Sequence, residues 1–200
     1  MRKIGVFGGT FNPIHNGHIN MALGFTQALG LDKVLLIPAN IPPHKAYEDK
    51  TPAKARLEMC RIAAKQCPLF EASDIELRRK GKSYTVDTLR ELTLLYPGSA
   101  LYLITGADMF LTVQDWKDAD EIFALATICA APRDAFHCSI LQNHADGLKG
   151  EKARARILDI PLTNISSTAI RDMVKKGEDI SSLVPPGVDG YILAHHLYKE

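Results

Sequence analysis

Ile4-Gly5-Val6-Phe7-Gly8-Gly9-Thr10-Phe11-Asn12-Pro13-Ile14-His15-Asn16-Gly17-His18 is the stretch whose reading decides the fold. A short apolar run reads as a buried strand, a glycine-rich turn follows, and Ile19-Asn20-Met21-Ala22-Leu23-Gly24-Phe25 resumes with helical spacing. Gly8 and Gly9 carry no side chain to hold a ligand away, so an anionic group can come close to the backbone N–H groups. A helix that starts between Pro13 and Gly17 adds the positive end of its dipole to the same spot. His15 and His18, spaced i, i+3, project from one face of its first turn. The spacing predicts a phosphate cradle. Read instead as half of a zinc site, the two histidines lack the glutamate usual beside such helical ligands, and no cysteine is near.

Working outward, Lys33-Val34-Leu35-Leu36-Ile37-Pro38 reads as a second buried parallel strand. Ala39-Asn40-Ile41-Pro42-Pro43-His44-Lys45 then lies at its carboxyl end, the edge where open α/β sheets bind ligands. His44 and Lys45 are there either to contact phosphate or as residues of a solvated loop. Thr51-Pro52-Ala53 opens a helix with Leu57, Cys60, Ile62, Ala63 and Ala64 on its apolar face. Leu69-Phe70-Glu71-Ala72-Ser73 is a weaker third strand, and Arg78-Arg79-Lys80 is a basic patch or a solvated turn. A helix begins within Ser83-Tyr84-Thr85-Val86-Asp87-Thr88-Leu89-Arg90, and Ala100-Leu101-Tyr102-Leu103-Ile104-Thr105-Gly106 is the fourth strand. Gly106-Ala107-Asp108, at its carboxyl end, suits a ribose hydroxyl pair or an adenine edge, or else Asp108 caps a helix.

Trp116, the only tryptophan, lies among polar residues, as a lid or a stacking platform for a planar ring. Ala126-Thr127-Ile128-Cys129-Ala130-Ala131-Pro132 reads as strand five, 133–150 as irregular, and Ala155-Arg156-Ile157-Leu158-Asp159-Ile160 as the last strand. His137 and His144 have no partner at metal-ligand spacing. In Asn164-Ile165-Ser166-Ser167-Thr168-Ala169-Ile170-Arg171 the hydroxyls and free N–H groups of a helix start lie one turn from Arg171. That is either a capping run or a second phosphate site. Pro185-Pro186-Gly187 and an amphipathic helix over 188–197 follow. Strands alternate with helices throughout, which predicts an α/β chain. It should form one domain over 1–200, a Rossmann-like, doubly wound and mostly parallel sheet with a small helical C-terminal portion at about 165–200.

Of the 200 residues 46% are hydrophobic and 24% charged, which permits a packed core. The net charge of +1 speaks against a protein that wraps nucleic acid. No apolar stretch approaches the roughly 18 residues that a bilayer span needs, and the N-terminus reads as a strand rather than a signal peptide, so the expectation is a cytoplasmic chain with no membrane partner. Cys60, Cys67, Cys129 and Cys138 form no C-x-x-C pair and are expected as reduced, mostly structural thiols. Cys60 and Cys67 are expected on one helix. Oligomeric state is not readable.

The opening stretch closely resembles the signature of the HxGH nucleotidyltransferases, glycine-glycine-threonine-phenylalanine-aspartate-proline-x-histidine-x-glycine-histidine, with Asn12 at the aspartate position. Ile165-Ser166-Ser167-Thr168-Ala169-Ile170-Arg171 is similar to their second signature, of the ISSTxxR type. Pro42-Pro43-His44-Lys45, Tyr84-Thr85-Val86-Asp87-Thr88-Leu89, Gly106-Ala107-Asp108 and Trp116 narrow the resemblance to the nicotinate-nucleotide adenylyltransferases, from Lys3 to about Tyr191. That resemblance implies adenylyl transfer from ATP to nicotinic acid mononucleotide, giving deamido-NAD and pyrophosphate, with Mg2+ carried on the ATP phosphates. It implies His15, His18, Lys45 and Arg171 as the catalytic groups. ATP would meet Gly8, Gly9, Thr10, Phe11, Gly106, Asp108, Ile165, Ser166, Ser167 and Thr168, together with the two histidines and Arg171. The mononucleotide would meet Asn40, His44, Lys45, Tyr84, Thr85 and Trp116. Nicotinamide mononucleotide is the nearest rival acceptor. Pantetheine phosphate and a nucleotide-sensing module without turnover are the more distant alternatives.

Overall fold

The computed structural model describes residues 1–42, 51–132, 135–148, 153–161 and 163–199. Its six strands are β1 (Lys3–Gly9), β2 (Lys33–Pro38), β3 (Phe70–Ala72), β4 (Ala100–Thr105), β5 (Ala126–Ala130) and β6 (Arg154–Ile157). All pair in parallel, in the order β3-β2-β1-β4-β5-β6. The α-helices are α1 (Asn16–Leu29), α2 (Ala53–Ala64), α3 (Thr85–Leu95), α4 (Ala107–Phe110), α5 (Ala119–Leu125), α6 (Ala135–Leu148), α7 (Ser167–Lys176) and α8 (Val188–Ala194). The Rossmann-like, doubly wound architecture expected from the sequence is the one found.

Parallel strands covered on both faces should be apolar along their whole length, because alternate side chains meet different layers. In β2, Val34 and Leu36 enter a core shared with α1, α2, α7 and α8, whereas Leu35 and Ile37 enter one shared with α3, α4, α5 and α6. β1 divides likewise, with Phe7 in the first core and Ile4 and Val6 in the second. The chain winds outward from β1 in one direction through β2 and β3, then returns beside β1 through β4 to β6. A crevice therefore opens between the carboxyl ends of β1 and β4, where helices leave the sheet on opposite sides.

The structure corrects three local expectations. The segment 133–150 is not irregular: α6 occupies Ala135–Leu148 and buries Leu141, Ala145 and Leu148, a helical i, i+4, i+7 stripe diluted by polar neighbours. The last strand is Arg154–Ile157 rather than 155–160, because Ile160 leaves the sheet to pack against α1 in the first core. Cys67 lies beyond the end of α2 and so shares no helix with Cys60. All four cysteines are free thiols, and burial pushes the Cys60 and Cys129 thiols far above their usual range.

Helix α1 approaches the 153–161 segment so closely that a Cβ on Gly24 would stand 2.3 Å from Cγ2 of Ile160. Gly24→Ala should therefore destabilise the fold by about 1–3 kcal/mol through overpacking. Gly147→Ala, on α6 with no atom within 4 Å of the added methyl, should stabilise it by about 0.5–1 kcal/mol. Urea denaturation midpoints of the two variants check the pair.

Candidate active site

The crevice between β1 and β4 holds a cavity of about 240 Å³. Gly8 and Gly106 stand on its facing rims, and at neither would an added Cβ meet a protein atom within 4 Å. A side chain at either place would project into space that the fold itself does not fill. Val6, Ile37, Leu103 and Met109 supply an apolar floor, and Gly9, Thr10, Thr85, Thr105 and Trp116 complete the walls used below. Trp116 follows a short 3-10 turn (Val113–Asp115) and packs on the second core while one part of it faces the cavity. Thr85 reaches the cavity because it is the first residue of α3.

From Thr10 the chain turns sharply into α1. Phe11 takes a left-handed backbone (φ 49°), and its ring is buried edge-on against Phe7 and against His18 at 5.0 Å. Thus Phe11 supports the His18 imidazole from below, and its ring is turned into the core. His15 stands immediately before α1, and its ring stacks on that of His18 with centroids 3.7 Å apart. The His15 N–H donates to Nδ1 of His18 at 3.2 Å. A neutral imidazole whose Nδ1 accepts must carry its proton on Nε2, so this bond selects the tautomer of His18. Burial brings the His15 pKa down to about 4. Burial, and next the neighbouring His15, holds His18 well below the usual imidazole range. Both rings are neutral near pH 7. Gly17 permits this stacking, since a Cβ there would lie 3.1 Å from the His15 ring and from the Thr163 carbonyl.

The start of α7 closes on the same turn. Ser167 Oγ donates to the Pro13 carbonyl at 2.9 Å, and Nη1 of Arg171 donates to the Asn12 carbonyl at 2.9 Å. Arg171 Nη2 also donates to Thr168 Oγ1 at 3.3 Å, and Ser166 Oγ caps the helix by accepting from the Ala169 N–H. Ser166 and Thr168 are exposed, while Ile165 packs against the first core. The two segments that the sequence singled out are therefore hydrogen-bonded to each other. His15, His18 and Arg171 do not line the cavity; they stand on the turn that continues from its Gly8-Gly9-Thr10 wall. The Asn16 N–H at the head of α1 donates to the Leu183 carbonyl at 2.9 Å and so is not open to a ligand.

Other expected residues are placed differently. Asp108 is exposed on α4 and outside the cavity lining. Tyr84 precedes α3 with Lys117 Nζ 4.6 Å above its ring. Asn40 uses Nδ2 to hold the Arg79 carbonyl at 2.9 Å, and its N–H donates to Ser83 Oγ. His44 and Lys45 lie outside the described residues.

Two residues were missed by sequence reasoning. Arg56, 0% exposed on α2, donates from Nη1 to the Thr10 carbonyl at 2.8 Å and from Nη2 to the Asn40 carbonyl at 3.3 Å. It locks together the segments that leave β1 and β2. Its sequence signal is a charged residue on the same helical stripe as Met59, Cys60 and Ala63. Glu76 lines the cavity, and burial pushes its carboxyl above the usual range although Thr88, which donates to it at 2.7 Å, opposes that shift. Nothing in its mixed-charge segment distinguishes it.

An apolar slot with an indole in its wall, continuous with a turn of main-chain groups, imidazoles and a guanidinium, suits a planar ring joined to phosphates. Residues 6–173 match the cytidylyltransferase-like family. A probable nicotinate-nucleotide adenylyltransferase of Clostridium tetani is 39% identical over the whole of both chains. One from Synechococcus sp. (strain JA-3-3Ab) is 41% identical over 100% of this chain and 96% of its own. The fold is similar to that of Plasmodium falciparum nicotinic acid mononucleotide adenylyltransferase complexed with NaAD, with a TM-score of 0.76 at 18% identity over 99% of this chain and 98% of that one. With the crevice at the strand reversal and both signature segments tied into one turn beside it, the chain belongs to the nicotinate-nucleotide adenylyltransferases, nucleotidyltransferases of the cytidylyltransferase-like family.

Proposed function

We propose that the chain transfers the adenylyl group of ATP to nicotinic acid mononucleotide, releasing pyrophosphate and forming deamido-NAD, a step in NAD biosynthesis. The observation that carries this reading is the pair of bonds from Ser167 and Arg171 to the Pro13 and Asn12 carbonyls, which ties the start of α7 to the turn beside the cavity. In this reaction an oxygen of the mononucleotide phosphate attacks the α-phosphorus of ATP in line, and the bond from that phosphorus to pyrophosphate breaks. Positioning two anions and neutralising the charge on the leaving group is sufficient, and no covalent intermediate is required.

In this reading Nε2–H of neutral His18 donates to an ATP phosphate, and His15 lies against it as a second donor. Arg171 and Lys45 supply positive charge, while Gly8, Gly9, Thr10, Ser166, Ser167 and Thr168 contribute main-chain or hydroxyl donors. Because the Ser167 hydroxyl proton is committed to Pro13, that residue acts through its N–H. Ile165 seats the helix, Phe11 seats His18, and Gly106 and Asp108 border the nucleoside. The pyridine ring stacks on Trp116 in the cavity near Thr85 and Tyr84, with Asn40 and His44 at its entrance and Lys45 toward its phosphate. Mg2+ enters as part of the ATP substrate, held by its phosphates; the described residues contain no group of three or more His, Cys, Asp or Glu able to hold a metal ion. Residues 1–200 work as one nucleotidyltransferase domain. No helix among the described residues is long and apolar enough to cross a membrane, and with four free thiols we place the reaction in the cytoplasm.

Purified protein mixed with Mg–ATP and nicotinic acid mononucleotide should release pyrophosphate; binding of ATP without release would leave only a sensing module. kcat/KM should be higher for nicotinic acid mononucleotide than for nicotinamide mononucleotide, and equal values would remove the assignment of the acceptor. Removal of a preorganised donor typically costs about 10²–10³ in rate, so His18→Ala should lower kcat by about that factor with an unchanged circular dichroism spectrum. Near-normal turnover would take His18 out of the mechanism.

The His15 imidazole titrates near 4 in the fold and at 6.5 when free. The unfolded chain therefore binds the extra proton first as pH falls, so the stability from neutral His15 is complete above pH 6.5 and is lost toward pH 4. The slope is about 1.4 kcal/mol per pH unit for one such group. Urea midpoints measured between pH 7 and 5 should fall, and should fall less in His15→Gln.

A further inference from the structure

The polypeptide that follows α8 turns back on itself and reaches the catalytic turn. His196 and Tyr198 both have left-handed backbones (φ 53° and 65°), a conformation that bulky residues adopt only where surrounding contacts hold them. The outcome of that turn is a hydrogen bond from the Tyr198 hydroxyl to Oδ1 of Asn12 at 2.6 Å. Asn12 is 3% exposed. It joins Phe11, whose ring supports His18, to Pro13, and its own carbonyl accepts from Arg171. The Tyr198 ring also packs on the first core. Asn12 is thus gripped at its carbonyl by α7 and at its side chain by the segment after α8, with the imidazole pair a few residues away on the same turn.

We propose that Tyr198 is a positioning residue for adenylyl transfer: through Asn12 it fixes the turn that aims His18 and Arg171 at the ATP phosphates. This rests on the function proposed above. The Tyr198 hydroxyl touches no reacting atom in this reading. Its effect is confined to the phosphate side, because neither Tyr198 nor Asn12 lines the cavity assigned to the pyridine ring. A side-chain amide in place of a carboxylate at position 12 suits the pairing, since Oδ1 accepts from a neutral phenol without leaving a charge buried at the site.

The test uses Tyr198→Phe, Asn12→Ala and the double variant, in the full-length protein at a temperature well below the unfolding midpoint of each. A net hydrogen bond of about 0.5–1.5 kcal/mol corresponds to an expected 2- to 13-fold loss of kcat in Tyr198→Phe, with KM for the mononucleotide changed by less than about twofold. If Tyr198 acts through Asn12, the double variant loses no more kcat than Asn12→Ala alone. In ¹⁵N spectra the ring nitrogens of His15 and His18 should shift in Tyr198→Phe while those of His137 and His144 stay in place. A change in overall stability alone would not produce that pattern. Unchanged kcat in Tyr198→Phe, losses that multiply in the double variant, or unmoved His15 and His18 resonances would each overturn the proposal. Absence of pyrophosphate release by the unsubstituted protein would instead defeat the proposed function, so the two failures are distinct.

Discussion

The contact on which the rest of the site depends is the guanidinium of Arg171 against the main-chain carbonyl of Asn12. A peptide carbonyl cannot shift without moving its neighbours, so a charged donor held on it at 2.9 Å fixes the path of the turn between β1 and α1. Ser167 repeats the restraint one residue later. On the other side Arg56 holds the Thr10 carbonyl from within the core. Between these anchors the chain from Thr10 to Pro13 is fastened at three carbonyls, from α7 on one side and α2 on the other. The imidazoles that follow are therefore presented by a rigid support, as electrostatic preorganisation requires.

The neutrality of the two histidines belongs to the same design. A stacked pair of imidazolium ions with centroids 3.7 Å apart would repel, and burial already disfavours the charged form of each. A neutral pair of this kind offers N–H donors rather than charge, whereas a guanidinium such as that of Arg171 offers positive charge. The His15 main chain, through its bond to Nδ1, selects which ring nitrogen of His18 carries the proton.

Much of this was legible in the sequence because β1 and the first turn of α1 are local objects. Glycines, a strand and an i, i+3 histidine pair are adjacent in the chain, and the continuous apolar runs of β1, β2, β4 and β5 announce strands buried on both faces. The second segment was legible as a helix start, but its junction with the first depends on contacts spanning more than 150 residues, which periodicity does not encode. Arg56 and Glu76 escaped for a related reason. Each is polar, and its importance comes from burial against main chain or a cavity wall rather than from its neighbours in sequence. In α6 the apolar stripe of Leu141, Ala145 and Leu148 was present, but interleaved histidine, asparagine and glutamine hid its period.

The long reach of these restraints bears on the order in which the molecule is made. Synthesis delivers the glycine turn and both imidazoles well before Ser167, Arg171 and the Leu183 carbonyl that seizes the head of α1, which follow only after a long intervening stretch of chain. The turn thus waits for partners that are made much later. A nascent polypeptide stalled before residue 167 would carry the glycine turn and the imidazole pair without the bonds by which α7 later fastens that turn.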